Sequence, residues 1–315
     1  MKVKMRTFVP MKRIFVFFVV VAAVAGCGQS HEEKQRQHRE QRRLLAREDS
    51  AALKVAVVPT LDCLPLFVAK ELRLFDTLGI DVRPKLFKAQ MDCDTALMGG
   101  SVEGAVTDLV RAERMVKRGT PLRYVAATGA YWQLLGAHHA RIRQLSQLDD
   151  KMVAMTRYSA TDLLTDVAVD SAKLKTERVF RIQVNDVGLR LRMMLNSAMD
   201  ALLLPEPQAT QARQAKSYVL LDSRNLDCRL GVIAFSEKSL KHKDRQQQLE
   251  MFLKAYDQAC DSISQNGIGR YAALIESYCD VDKRVTDSLP KNYEFPHAAA
   301  PREQDVERAR KWLGK

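Results

Sequence analysis

The chain has 315 residues, 46% hydrophobic and 28% charged, proportions that exclude a disordered, collagen-like or multi-span membrane chain. Its formal charge is +12, but five of the excess cations, Lys2, Lys4, Arg6, Lys12 and Arg13, stand in its first thirteen residues. With 7% aromatics and no dense basic patch farther along, composition argues against a nucleic-acid partner.

The N-terminus reads as an address. Lys12-Arg13 precedes an apolar run from Ile14 to Ala25, which as a helix reaches about 18 Å, short of the roughly 30 Å of a bilayer's hydrocarbon core. A charged start followed by a short apolar run is a secretory signal, and Met11-Lys-Arg-Ile already begins a complete one, so the true start is Met1, Met5 or Met11. Val24-Ala-Gly-Cys27 resembles the lipobox of bacterial lipoproteins, which implies that residues 1–26 are removed and that Cys27 carries the lipid anchoring the chain to a membrane. Residues 27–52 hold almost nothing apolar before Leu44-Leu45 and read as a solvated tether, with helix as a transient state.

From Leu53 the pattern alternates strand and helix. Leu53 to Val58, Ile80 to Phe87, Gly104 to Thr107 and Leu122 to Ala127 read as strands, and Leu64 to Leu78, Asp92 to Gly99 and Leu109 to Arg118 as helices. A second series follows: strands Met152 to Thr156, Arg178 to Val184, Ala201 to Leu204 and Tyr218 to Leu221, with helices Ala160 to Ser171, Leu189 to Asn196 and Gln208 to Lys216. Then come a strand from Leu230 to Phe235, helices near Asp244 to Ser264, Gly269 to Tyr278 and Glu303 to Leu313, and a Pro-interrupted irregular stretch over 285–301. Two such series give an α/β protein with two mostly parallel sheets covered by helices.

The run from Val57 to Phe75, with Gly79-Ile-Asp-Val82 and the run from Met98 to Asp108, resembles the first lobe of substrate-binding proteins of ABC importers for sulfonates, taurine, nitrate and thiamine-pyrimidine precursors. Leu145 to Ala154, Arg192 to Pro207 and Phe252-Leu-Lys-Ala-Tyr256 continue the likeness in order. The resemblance implies the type II periplasmic-binding-protein fold, two lobes joined by two crossover strands near Leu134 to Ala137 and Leu221 to Asn225. Lobe one would comprise 53–137 and 223–315, and lobe two 138–222. It also implies a monomer that binds a small-molecule ligand and partners an ABC permease and ATPase, exported and held at the bacterial membrane.

Ligand groups in such folds come from loops at the carboxyl ends of strands. Those loops supply Thr60, Asp62, Gln90, Asp108, Asp186 and Glu206, and in the second lobe Arg157, Tyr158, Ser159 and Thr161; Trp132 stands just before the first crossover. Asp62, Asp108, Ser159 and Asp186 can equally cap the helices that follow them, and Glu206, between Pro205 and Pro207, can serve the hinge. If Asp62, Asp108 and Glu206 all face the cleft, they repel a bare oxyanion. The reading therefore favours a nitrogen heterocycle or amine-bearing ligand, with an anionic end at most on the Ser159 loop and an aromatic platform at Tyr131-Trp132.

No phosphate loop, Ser elbow or zinc-protease motif appears, so the chain is not expected to be an enzyme or to need a cofactor. Adjacent His138 and His139 point apart on a strand and make a poor metal pair. Cys260 with Cys279, and Cys63 with Cys93, are open as disulfides.

Overall fold

The computed structural model describes residues 31–314; the expected signal segment and the expected lipid site at Cys27 lie outside the described residues. Where a tether was expected, His31–Ala51 is one continuous helix. The stretch is rich in Glu, Gln, Arg, Leu and Ala, all good helix formers, and holds no Gly or Pro. Among the described residues no helix is long and apolar enough to cross a membrane.

From residue 52 onward the short apolar runs become ten strands: β1 Leu53–Val57, β2 Val82–Leu86, β3 Gly104–Asp108, β4 Leu122–Ala127, β5 Gln133–Gly136, β6 Lys151–Met155, β7 Val179–Gln183, β8 Ala201–Leu204, β9 Tyr218–Asp222 and β10 Gly231–Ser236. They form two sheets, in the orders β2-β1-β3-β10-β4 and β7-β6-β8-β5-β9. Every residue of β3, β5, β8 and β10 is buried, as expected for strands covered on both faces.

Both sheets follow one plan. A parallel trio (β2-β1-β3; β7-β6-β8) is followed by one antiparallel strand and an edge strand. In each sheet the antiparallel strand is the one that has just arrived from the other lobe: β5 enters the second sheet after β4, and β10 enters the first after β9. The expected crossover at Leu134 to Ala137 is therefore displaced. Those apolar residues are the inner strand β5, paired on both sides, and the chain crosses earlier, over Thr128 to Trp132. The return passes over Ser223 to Leu230, near the expected position. A Cβ on Gly129 would stand 1.8 Å from the Glu294 carbonyl oxygen, and one on Gly231 would stand 2.2 Å from Thr128 Oγ1, so both positions at the crossing admit only glycine.

The expected helix over 64–78 is two, Leu64–Glu71 and Leu74–Thr77, broken at Arg73 in the left-handed region (φ 54°). The long helix Lys243–Asn266 closes the first lobe, with Phe252 against Phe235 at 5.4 Å and Phe75 at 6.0 Å. The last helix, Glu303–Leu313, ties both lobes. Arg310 Nε donates to Glu113 Oε2 (3.0 Å) on Leu109–Lys117, and Trp312 Nε1 donates to Asp166 Oδ2 (2.6 Å) on Ala160–Ser171. Cys63, Cys93, Cys228, Cys260 and Cys279 are all unbridged and buried, so neither disulfide left open above is formed.

Candidate functional site

The carboxyl ends of the parallel trios face each other across the crossing segment and enclose a cavity of about 60 Å³, room for a few waters. The first lobe contributes Thr60 and Asp62 after β1, Gln90 at the start of Gln90–Gly99, and Thr107, Asp108 and Arg111 at the end of β3 and the first turn behind it; the second contributes Thr156, Ser159, Thr161, Asn185 and Arg190. Trp132 lines it from the end of the crossing.

Asp62 is held by Thr60 Oγ1 (2.6 Å) and Thr128 Oγ1 (3.3 Å). Burial raises its pKa, and those two hydroxyls oppose the rise. Asp108 is the N-cap of Leu109–Lys117: its Oδ1 accepts from Arg111 N at 3.0 Å. The same oxygen also accepts from Ala160 N at 2.9 Å, across the cleft. Burial lifts the Asp108 pKa to about 7 against the pull of the Arg111 cation.

Both arginines of the cavity are almost wholly buried. Arg111 is ion-paired to Asp94 through Nε (3.2 Å) and Nη2, while its Nη1 has no hydrogen-bond partner among the described residues. Arg190 donates to the carbonyls of Val184 (2.7 Å) and Leu203 (2.6 Å) and to Thr156 Oγ1 (2.7 Å). Burial and the Arg111 cation lower its pKa to about 10. Across the floor, Ser159 is the N-cap of Ala160–Ser171 and accepts from Thr161 N at 3.1 Å.

Of the residues expected at the site, Thr60, Asp62, Gln90, Asp108, Trp132, Ser159 and Thr161 line this cavity. Four do not. Glu206 is 1% exposed and turned away: Tyr131 Oη (2.9 Å), Thr210 N (2.9 Å), Thr210 Oγ1 (2.7 Å) and Arg213 Nη2 (2.8 Å) all donate to its carboxylate. Arg157 faces Asp162 at 3.6 Å on another part of the surface. Tyr158, 44% exposed with φ 53°, stacks under Arg114, whose guanidinium carbon is 4.2 Å from the ring centre. Asp186 caps Val187–Leu195 through Leu189 N (2.8 Å). Since Glu206 is neutralised outside the cavity, the repulsion by three acids is reduced to two acids facing two guanidinium groups.

Sequence reasoning missed Arg111 and Arg190. The available signal was that Arg111 lies in the first turn after a strand-end acid and Arg190 one turn after Asp186. Among the described residues, no group of three or more His, Cys, Asp or Glu is placed to hold a metal ion.

A family model described as the NMT1-like family matches residues 46–275. No curated protein matches the sequence. Among solved structures, the ligand-binding component of an ABC-type import system from Staphylococcus aureus, with zinc bound, is similar with a TM-score of 0.70 and 15% identity, over 84% of this chain and 92% of that one. The periplasmic aliphatic sulphonate binding protein SsuA from Escherichia coli gives 0.67 and 18%, over 84% and 87%. The periplasmic nitrate-binding protein NrtA from Synechocystis PCC 6803 gives 0.66 and 15%, over 80% and 74%. At these identities the likeness is one of fold, the two-lobed periplasmic-binding-protein architecture.

Proposed function

Because the chain belongs to the NMT1-like family, we propose that it is an extracytoplasmic solute-binding protein that captures a small polar molecule between its lobes and delivers it to an ABC permease and its ATPase. The observation that carries this reading is the convergence of Asp62, Arg111 and the Ser159 loop, drawn from both lobes, on one buried cavity. Groups from opposite lobes that share a ligand bias the pair toward closure, because only differential affinity for the closed form can shift it.

The preferred ligand bears N–H donors for Asp62, a ring nitrogen or oxygen acceptor for the open Nη1 of Arg111, and a flat face for Trp132: a nitrogen heterocycle or an amine-bearing molecule. Its entry widens a cleft that is now nearly closed. A sulfonate or nitrate-type anion is the second reading, supported by Arg111 and Arg190 and opposed by the carboxylate of Asp108. Lipidation of Cys27 would keep the monomeric protein beside its permease, on the outer side of the membrane.

A thermal-shift screen of the chain against aminopyrimidines, small amines, amino-sulfonates, nitrate and methanesulfonate tests this. A ligand at a hundred times its Kd stabilises by about 2.7 kcal/mol. We expect a shift with a nitrogen-bearing solute that Asp62→Asn weakens. Silence across the whole panel would remove the solute-binding reading in favour of a sensor or scaffold lipoprotein.

A further inference from the structure

Ala160 opens a helix of 12 residues; its own N–H reaches out of the second lobe, while those of Thr161, Asp162 and Leu163 are taken by Ser159. Helix starts of this kind attract anions, because their N–H groups lack partners within the helix and the helix dipole is positive there. Three groups meet at this one. Ser159 caps it from within. Arg111, 1% exposed, lines the same cavity with an Nη1 that has no hydrogen-bond partner among the described residues. The third is Asp108, from the opposite lobe, with its carboxylate oxygen 2.9 Å from Ala160 N. A buried guanidinium N–H beside a helix start asks for an oxyanion; the chain supplies one of its own to the helix start and leaves Nη1 open.

We propose that Asp108 is a tethered occupant of an oxyanion seat: it fills the place at the Ala160 helix start that a ligand's anionic group would take, and so excludes simple oxyanions from the cavity. The proposal rests on the cavity's being the ligand site. Asp108 is then a specificity-determining residue. A second negative oxygen brought to the same N–H would lie against this carboxylate in a desolvated pocket, where like charges repel strongly. The Arg111 cation relieves that repulsion only in part. Asp94 already occupies Arg111 Nε and Nη2, Arg190 is bound to carbonyls, and Asp62 adds a negative charge of its own.

The test uses the full chain, with methanesulfonate and nitrate as probes in titration calorimetry at pH 8. Asp108→Ser keeps a good N-cap for Leu109–Lys117 but is too short to reach across the cleft. We expect it to bind methanesulfonate about tenfold or more tighter than the unsubstituted chain. Asp108→Asn keeps the capping oxygen without the charge and is expected to gain less. For a variant that folds poorly, the unsubstituted chain provides the same test. Its methanesulfonate affinity should rise as pH falls from 8 to 6, where Asp108 takes up its proton, and Asp108→Asn should stay flat across that range.

Equal methanesulfonate affinity in the serine variant and the unsubstituted chain, or tight binding by the unsubstituted chain at pH 8, would overturn the assignment. Loss of the nitrogen-bearing ligand from the thermal-shift panel would instead overturn the solute-binding reading. A chain that binds that ligand while Asp108→Ser gains nothing sinks the Asp108 assignment alone.

Discussion

The turn after β3 and the turn after β8 hold the same place in the two lobes, each leading the third strand of a parallel trio into a helix, and each carries a buried acid. They use it in opposite ways. Glu206 finds a guanidinium in its own following helix, Arg213, and is satisfied by it, by Thr210 beside it and by Tyr131 of the crossing segment. Asp108 is also followed by an arginine, but Arg111 is paired to Asp94 from a neighbouring helix. Its carboxylate takes N–H donors instead, one of them across the cleft. A buried carboxylate must be paired or hydrogen-bonded. Which acid faces the cleft is therefore decided by where its nearest arginine is already engaged.

The comparison breaks most visibly at Glu206. Glu206→Ala leaves Arg213, Tyr131 and Thr210 without their shared acceptor, and we expect a loss of about 3–4 kcal/mol in urea denaturation, below the top of the usual range because Arg213 is 28% exposed. A loss under 1 kcal/mol would show that the second-lobe turn does not depend on its acid.

Asp108 should sharpen the contrast through pH. Its folded pKa of about 7 lies above the ordinary value of 3.8, so between roughly pH 4 and 7 the folded chain holds a proton the unfolded chain has released. Stability from this group is full below that window and is lost as pH rises through it. We expect Asp108→Asn to remove about 2 kcal/mol of the decline between pH 5 and pH 8 in thermal denaturation. A shallower slope persists, since burial also raises Asp62 and Asp94. Parallel curves for the two proteins would contradict the buried placement of the Asp108 carboxylate.

Ser159→Ala removes an N-cap and should cost about 1 kcal/mol, with weakened binding of any solute that reaches this loop. Least affected is Arg157→Ala. Its ion pair is 3.6 Å long and its side chain 42% exposed, so stability should change by less than about 0.5 kcal/mol and solute affinity not at all. A binding defect there would place the site on the wrong surface.

Strand-end loops were legible because acids and hydroxyls beside a helix start have few places to go, and Thr60, Asp62, Asp108, Ser159 and Thr161 stand where that logic puts them. Direction was not legible. The prolines around Glu206 fix the loop, but Arg213, on the following helix, decides which way the carboxylate turns. Arg111 and Arg190 escaped notice because helical arginines are ordinarily solvated, whereas here each is buried on partners of its own lobe, Asp94 for Arg111 and the Val184 and Leu203 carbonyls for Arg190. Resemblance alone places the first crossing near Leu134 to Ala137, and the residues there carry no signal that Gln133–Gly136 pairs on both edges as β5.

The five cysteines from Cys63 to Cys279 are shut inside the protein, with burial pushing every thiol upward, Cys93 and Cys260 to about 12. Such sulfurs hold almost no thiolate at neutral pH and are poor targets for maleimide dyes. Once Cys27 is replaced, cysteines introduced at exposed Lys88 in one lobe and Lys175 in the other should take up a fluorophore pair with little background. The distance between the lobes can then be followed in single molecules with and without solute, without first stripping the native cysteines from the chain.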